Sequence, residues 1–181
     1  MDHFHEEVAV KRNRTFDEIV YYFSWLVIVL AGVHAIMMFS SITSVLRHQG
    51  NWIITVALGA VSAAVAFGVY FYHDRLRMEY EYTFTNGSLD FAQVFNNNKR
   101  KTLGSLNVRT VDAFGPVNGE AFRRYISMQD VQQTRWFLNR DGNLHYFYFQ
   151  KDSKRRVIIF EPSGELVELI RKYLPHGAYQ G

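Results

Sequence analysis

The sequence predicts an α+β protein: a two-helix transmembrane hairpin, then a seven-stranded antiparallel β domain of four and three strands, closed by a C-terminal capping helix. Three observations carry this. No Asp, Glu, Lys or Arg occurs between Glu18 and Arg47, nor between Arg47 and Asp74. From Glu79 the pattern changes to alternation of aromatic and polar residues, the period of a half-buried strand. The last apolar stretch, Leu166 to Leu174, returns to helical spacing.

The first two elements follow from length. About 20 mostly apolar residues cross the roughly 30 Å of bilayer hydrocarbon, so each uncharged run suffices. We read spans over 19–41 and 52–72 within a hairpin of residues 16–73, preceded by a cytoplasmic N-terminal segment, 1–15. Thr15-Phe16-Asp17-Glu18 has the form of a capping box at the first helix start. The connection Thr43 to Asn51 is short, which makes the helices antiparallel neighbours. Lys11, Arg12 and Arg14 before the spans and Arg75 and Arg77 after them, against Arg47 between, predict a multi-pass cell-membrane protein with both termini cytoplasmic. The first apolar run is too long for a signal-peptide core and is expected to be retained.

Within the spans, Gly59, Ala60, Ala63, Ala64 and Gly68 supply small residues at four-residue spacing, which lets helix backbones approach where lipid gives no hydrophobic drive. Packing against Ala31 and Ala35 of the same chain is the first reading of this set, and a homo-oligomer face the second. His34 is the one titratable side chain deep in a span. With no charged partner in either span, it reads as a neutral, hydrogen-bonded histidine.

The β domain, 79–175, opens with Glu79 to Thr85, the hairpin turn Asn86-Gly87 and a return strand, Ser88 to Phe95. Asn96-Asn97-Asn98-Lys99-Arg100-Lys101 reads as the next turn, and strands are expected at 102–106 and 110–114. Residues 115–130 read as an irregular connection with room for a short helix. A second meander follows: Val131 to Leu138, Leu144 to Gln150 and Arg156 to Phe160, with turns at 139–142 and 151–154. Pro162 and Ser163 open the final helix, Pro175 stops it, and 176–181 is a tail.

This strand order, with the 102–111 stretch and "RRVIIFEPSGELVELIRKYL" as last strand plus helix, resembles the pleckstrin-homology (PH) superfold, in particular bacterial PH-like domains attached to membrane helices. The whole arrangement is similar to a group of uncharacterised small two-span bacterial membrane proteins. The resemblance implies the fold and a plasma-membrane setting, and it carries no catalytic signature. Many eukaryotic PH domains bind phosphoinositides through a basic loop between the first two strands. Here that loop is Thr85-Asn86-Gly87-Ser88, without Lys or Arg, so the lipid site does not carry over.

The charge of +3 is small, but its distribution is not uniform. Alternating the turns of the expected strands brings Lys99, Arg100, Lys101, Arg123, Arg124, Lys151, Lys154, Arg155 and Arg156 to the membrane side, against Glu120, Asp130 and Asp152. Anionic headgroups attract such residues by about 1 kcal/mol each near the surface, without lipid specificity. The same residues also suit edge protection of a sheet.

Other chemistry is sparse. There is no cysteine, which excludes disulfides and thiolate metal sites. His3 and His5, followed by Glu6 and Glu7, are a weak metal pattern on a terminus; His73-Asp74 and His145 show no third partner in sequence. No metal or cofactor is expected. The aromatic strip Trp136, Phe137 and Tyr146 to Phe149 reads as core and sheet surface, not as a nucleic-acid platform. The sequence therefore points to a non-enzymatic membrane protein whose PH-like domain is an interaction or scaffolding module for an unidentified protein partner, oriented by basic turns. The alternative is an accessory subunit of a larger transport or envelope-assembly complex working through its hairpin.

Overall fold

The computed structural model describes residues 3–181, which divide into a helical unit, 13–78, and a β unit formed by the flanking segments up to residue 12 and from 79 onward. In the helical unit α1 (Thr15–Arg47) and α2 (Trp52–Tyr72) are joined by residues 48–51, with the Asn51 side chain accepting from the Ile54 N–H at 3.4 Å. Both are long and apolar enough to cross a membrane. The capping box does not form, since no side chain caps the start of α1, and Glu18 instead pairs with Arg77. Arg77 belongs to the short 3-10 helix His73–Arg77 and also lies over the Tyr21 ring, 3.8 Å from its centroid.

Gly59 sits in the seam between the two helices. A Cβ there would stand 3.2 Å from Met38 Cβ and from the Phe39 ring, so any larger residue must push these neighbours aside. Ala35 is buried, and His34 Nδ1 lies 2.7 Å from the Ser62 hydroxyl, which donates to the Leu58 carbonyl at 2.9 Å. Ala60, Ala63 and Ala64 lie on the exposed side of α2, and a Cβ at Gly68 would touch nothing within 4 Å. Of the five small residues expected to pack the helices, Gly59 alone is buried.

Among the described residues the β unit holds eight strands in two four-stranded sheets, where the sequence predicts seven as four plus three. The extra strand is β1 (Phe4–Ala9), from the segment expected to be only a lead-in. It pairs antiparallel with β2 (Met78–Thr85), Phe4 opposite Thr85 and Ala9 opposite Tyr80, across the whole helical hairpin. Next come β3 (Ser88–Phe95) and β4 (Lys99–Asn107), giving the order β1-β2-β3-β4. Asn86 and Gly87 both take positive φ, as the two-residue turn between β2 and β3 requires. Asn96 and Asn97 are also left-handed, and the turn ends at Asn98. Lys99, Arg100 and Lys101 are thus strand residues on an edge, not turn residues.

The second sheet contains β5 (Ala113–Pro116), β6 (Val131–Trp136), β7 (His145–Lys151) and β8 (Lys154–Phe160), in the order β5-β7-β8-β6. The strand expected at 110–114 splits: Val108–Thr110 is a 3-10 turn, and β5 begins only at Ala113, in the other sheet. The expected antiparallel meander is also corrected. β7 and β8 form a hairpin, but β6 runs parallel to β8, Gln132 opposite Arg156 and Trp136 opposite Phe160. Between β5 and β6 lies α3 (Glu120–Ile126).

Strand β7 buries five consecutive residues, His145 to Phe149, because both faces of this sheet are covered. One face packs Phe122 of α3 against Tyr146, Tyr148, Val157 and Ile159. The other meets the first sheet through rings of Tyr82, Phe91, Phe147 and Phe160, the last two stacked with centroids 5.2 Å apart. Each such buried ring contributes roughly 1.5–3 kcal/mol relative to exposure. Helix α4 (Gly164–Tyr173) starts at Ser163, whose hydroxyl accepts from the Leu166 N–H at 3.1 Å, and buries Leu166, Val167 and Ile170. Its Tyr173 meets Phe84 edge-on at 5.3 Å.

Candidate functional site

Two features of the β unit offer polar chemistry to a ligand or a surface: the basic residues along its strands and helix, and a cleft between its sheets. The nine basic residues singled out in sequence fall into three places. Lys99, Arg100 and Lys101 lie on edge strand β4, and Arg123 and Arg124 in the last turn of α3. Lys151, Lys154, Arg155 and Arg156 flank the Asp152-Ser153 turn of the β7–β8 hairpin. Their environments differ. Arg100 pairs across the sheet with buried Glu81 of β2, Arg124 lies 5.1 Å from the Tyr125 ring centroid, and Arg155 donates to the Gln129 carbonyl at 3.4 Å.

Arg156 is the exception among them, for it turns inward. Parallel pairing puts Gln132, Thr134 and Trp136 of β6 beside Arg156, Ile158 and Phe160 of β8 on one face, the face that meets the first sheet. There, between edge strand β4 and edge strand β6, a cleft of about 290 Å³ opens, lined by Phe91, Gly104, Trp136, Phe149, Lys151 and Arg156 among others. Gly104 lies under the Trp136 ring, with 3.4 Å from its would-be Cβ to Cη2. Leu103 is the extra residue of a bulge, since Phe91 faces Gly104 and Ala92 faces Thr102. The bulge helps present β4 to the cleft. The Nε–H of half-buried Arg156 is sequestered and meets no acceptor among the described residues, and no carboxylate lines the cleft. The sequence marks Arg156 as basic but not as inward-pointing. In a strand buried on both faces, alternation no longer says which way a flanking residue turns.

A separate polar junction holds β1 in place. Buried Asn139 donates through Nδ2 to the Val10 carbonyl at 2.9 Å and to the Glu161 carboxylate at 2.9 and 3.1 Å, and its Oδ1 accepts from the Arg12 N–H at 2.9 Å. Glu7 accepts from the Ser163 N–H at 2.9 Å, and Arg12 reaches Glu161 at 3.8 Å. Tyr82 donates to the Trp136 carbonyl at 2.5 Å, and burial pushes its pKa well above the usual tyrosine value. This network is internally satisfied and functions as a clasp.

The histidines fall outside any metal constellation among the described residues. His3 bonds Tyr173 Oη at 2.7 Å, whereas His5 lies between Glu7 at 3.1 Å and Glu165 at 3.6 Å. His73 is buried among the rings of Tyr21, Trp25 and Tyr70 and bonds the Tyr70 carbonyl at 2.6 Å. His145 stacks on Phe114, and burial lowers its pKa. Burial pushes Tyr146 up to about 12; its hydroxyl has no partner among the described residues.

Two four-stranded sheets with a terminal helix, and a pair of apolar helices long enough to span a membrane between the first and second strands, define a PH-like domain with two candidate membrane helices. The chain belongs to the family described as bacterial PH-like domain (DUF6106), whose model matches residues 1–180, both apolar helices included. No curated protein and no solved structure matches the chain.

Proposed function

We propose that this chain is an integral membrane protein of the bacterial cell membrane whose PH-like unit lies on the cytoplasmic side and serves as a non-enzymatic interaction module, its basic strands oriented toward the anionic inner leaflet. One observation carries the topology. Strand β1 precedes the hairpin, β2 follows it, and the two are hydrogen-bonded neighbours. If α1 crosses the bilayer, α2 must bring the chain back, or the sheet cannot form. The basic residues that flank the hairpin, outnumbering Arg47 between the helices, support the cytoplasmic side.

Lys99, Lys101, Arg123, Arg124, Lys151, Lys154 and Arg155 are the residues we assign to the leaflet. Arg100, exposed but paired with Glu81, and Arg156, which turns into the cleft, are left out of this assignment. At about 1 kcal/mol each these charges orient the unit; the two spans do the anchoring. The alternative, an accessory subunit acting through its hairpin, draws on the outward-facing Ala60, Ala63 and Ala64.

The chain has no cysteine, so one engineered cysteine is a unique reporter. In intact cells a membrane-impermeant maleimide should label His48→Cys, between the helices, and leave Ser153→Cys, in the β7–β8 turn, unlabelled until the membrane is opened. Labelling of Ser153→Cys in intact cells would overturn the cytoplasmic assignment. Photo-crosslinkers placed beside Ser153 should capture a protein partner in native membranes; capture solely through residues near Ala63 favours the accessory subunit. An isolated fragment beginning at residue 79 is unsuitable, because it lacks β1.

A further inference from the structure

We propose that the cleft between β4 and β6 is a binding site for an oxyanion, phosphate or carboxylate, joined to a flat apolar group. This goes beyond the module reading and shares only Lys151 with the residues assigned there to the leaflet. Arg156 lines the cleft. Its Nε–H is sealed within the protein and out of a ligand's reach, so the two terminal nitrogens, which carry the remaining donors, supply the fork that matches two oxygens of one oxyanion. Lys151 supplies a second positive charge on the same lining, and no carboxylate competes there.

The remaining walls define the other half of the ligand. Phe91, Trp136 and Phe149 present apolar surface, and Gly104 leaves the Trp136 ring uncovered by any β4 side chain at that point. Trp136 is held from behind by the Tyr82 hydrogen bond to its carbonyl and by ring contact with Phe91 at 4.6 Å, so the platform is preorganised. A volume of about 290 Å³ suits a ring with a charged substituent and excludes a bulky polymer. The same chemistry is available from a soluble aryl or alkyl phosphate and from the phosphate of a lipid headgroup with the start of its chain.

The test uses the full chain in nanodiscs of phosphatidylcholine, with Trp25→Phe and Trp52→Phe so that Trp136 is the one tryptophan. Phenyl phosphate and dihexanoyl phosphatidic acid are titrated separately while Trp136 emission is followed. A saturable change with either probe, weakened at least about tenfold in Arg156→Gln and abolished in Gly104→Val, supports the site. The responding probe identifies the soluble or the lipid source. Arg156→Lys, which keeps charge but loses the fork, should fall between parent and glutamine variant. If Arg156→Gln alters the far-UV spectrum, Gly104→Val, which leaves Arg156 intact, decides the matter. Absence of a saturable change with both probes, or binding that survives both substitutions within twofold, overturns the proposal.

Discussion

Changing Asn139 to Asp exchanges one donor for one acceptor in the clasp that holds the end of β1. The Asn139 amide gives a hydrogen bond to the Val10 carbonyl and another shared by the two Glu161 oxygens, while its oxygen receives the Arg12 N–H. In Asn139→Asp the Arg12 contact survives, but oxygen replaces nitrogen 2.9 Å from Val10 O and from a carboxylate. The neutral bond is worth about 1 kcal/mol net and the charge-assisted one about 1.5–3. Repulsion between two carboxylates adds to that loss at neutral pH. We expect local stability at β1 to fall by about 3–5 kcal/mol, which raises amide exchange of residues 8–12 by at least roughly a hundredfold. Mild acid should restore much of this, because a protonated Asp can donate again. Asn139→Ala loses the Arg12 contact as well, about 3.5–5 kcal/mol in all, and gains nothing from acid. Hydrogen exchange of the full chain in nanodiscs, corrected for the intrinsic pH dependence of exchange, measures both. Exchange in Asn139→Asp within threefold of the parent at neutral pH, or a pH response identical to that of Asn139→Ala, would refute the clasp.

Three other expectations follow from the same structure. His145 is held neutral by burial, so below its ordinary pKa of about 6.5 the unfolded chain binds a proton that the folded chain does not; stability of the β unit should fall as pH drops through that window, and His145→Gln should flatten the dependence in denaturant titrations. Tyr82→Phe strands the Trp136 carbonyl and should cost about 1–3 kcal/mol by the same titration, with little change in the ring packing. Gly59→Leu forces atoms into the seam beside Met38 and Phe39 and should cost about 1–3 kcal/mol in detergent unfolding, whereas Ala64→Leu, facing outward, should stay within about 0.5. Equal damage from Ala64→Leu would show a second packing face on α2.

Features governed by local chemistry were legible in the sequence. Charge-free runs set the two helices, Asn86-Gly87 set the first hairpin, and Ser163 with the Leu166–Ile170 spacing set α4. What escaped depends on distant pairing. Strand β1 puts His5 and Glu7 on its more covered side, so its alternation lacks the apolar half that marks a strand, and its partner Tyr80 to Thr85 is far away in the chain. The parallel β6–β8 pair likewise skips the intervening β7, where a local reading joins consecutive strands. The cleft was missed for a related reason: Trp136 and Arg156 meet only through that parallel register. The basic triplet reads in sequence as the end of a turn, but Asn96-Asn97-Asn98 already completes the reversal and leaves Lys99, Arg100 and Lys101 to the strand.

The interleaving of β1 with β2 also bears on how the chain is made. Ala9 waits for Tyr80, roughly 70 residues of synthesis later, which at ~5–20 residues per second is several seconds. Both apolar helices enter the membrane during that time in the proposed topology. In the proposed topology a chain that threads only one helix strands β1 on the wrong side of the bilayer, where no sheet awaits it. The first sheet is completed in that topology only when both helices have inserted, and a mis-threaded molecule exposes the β2 edge that β1 would cover.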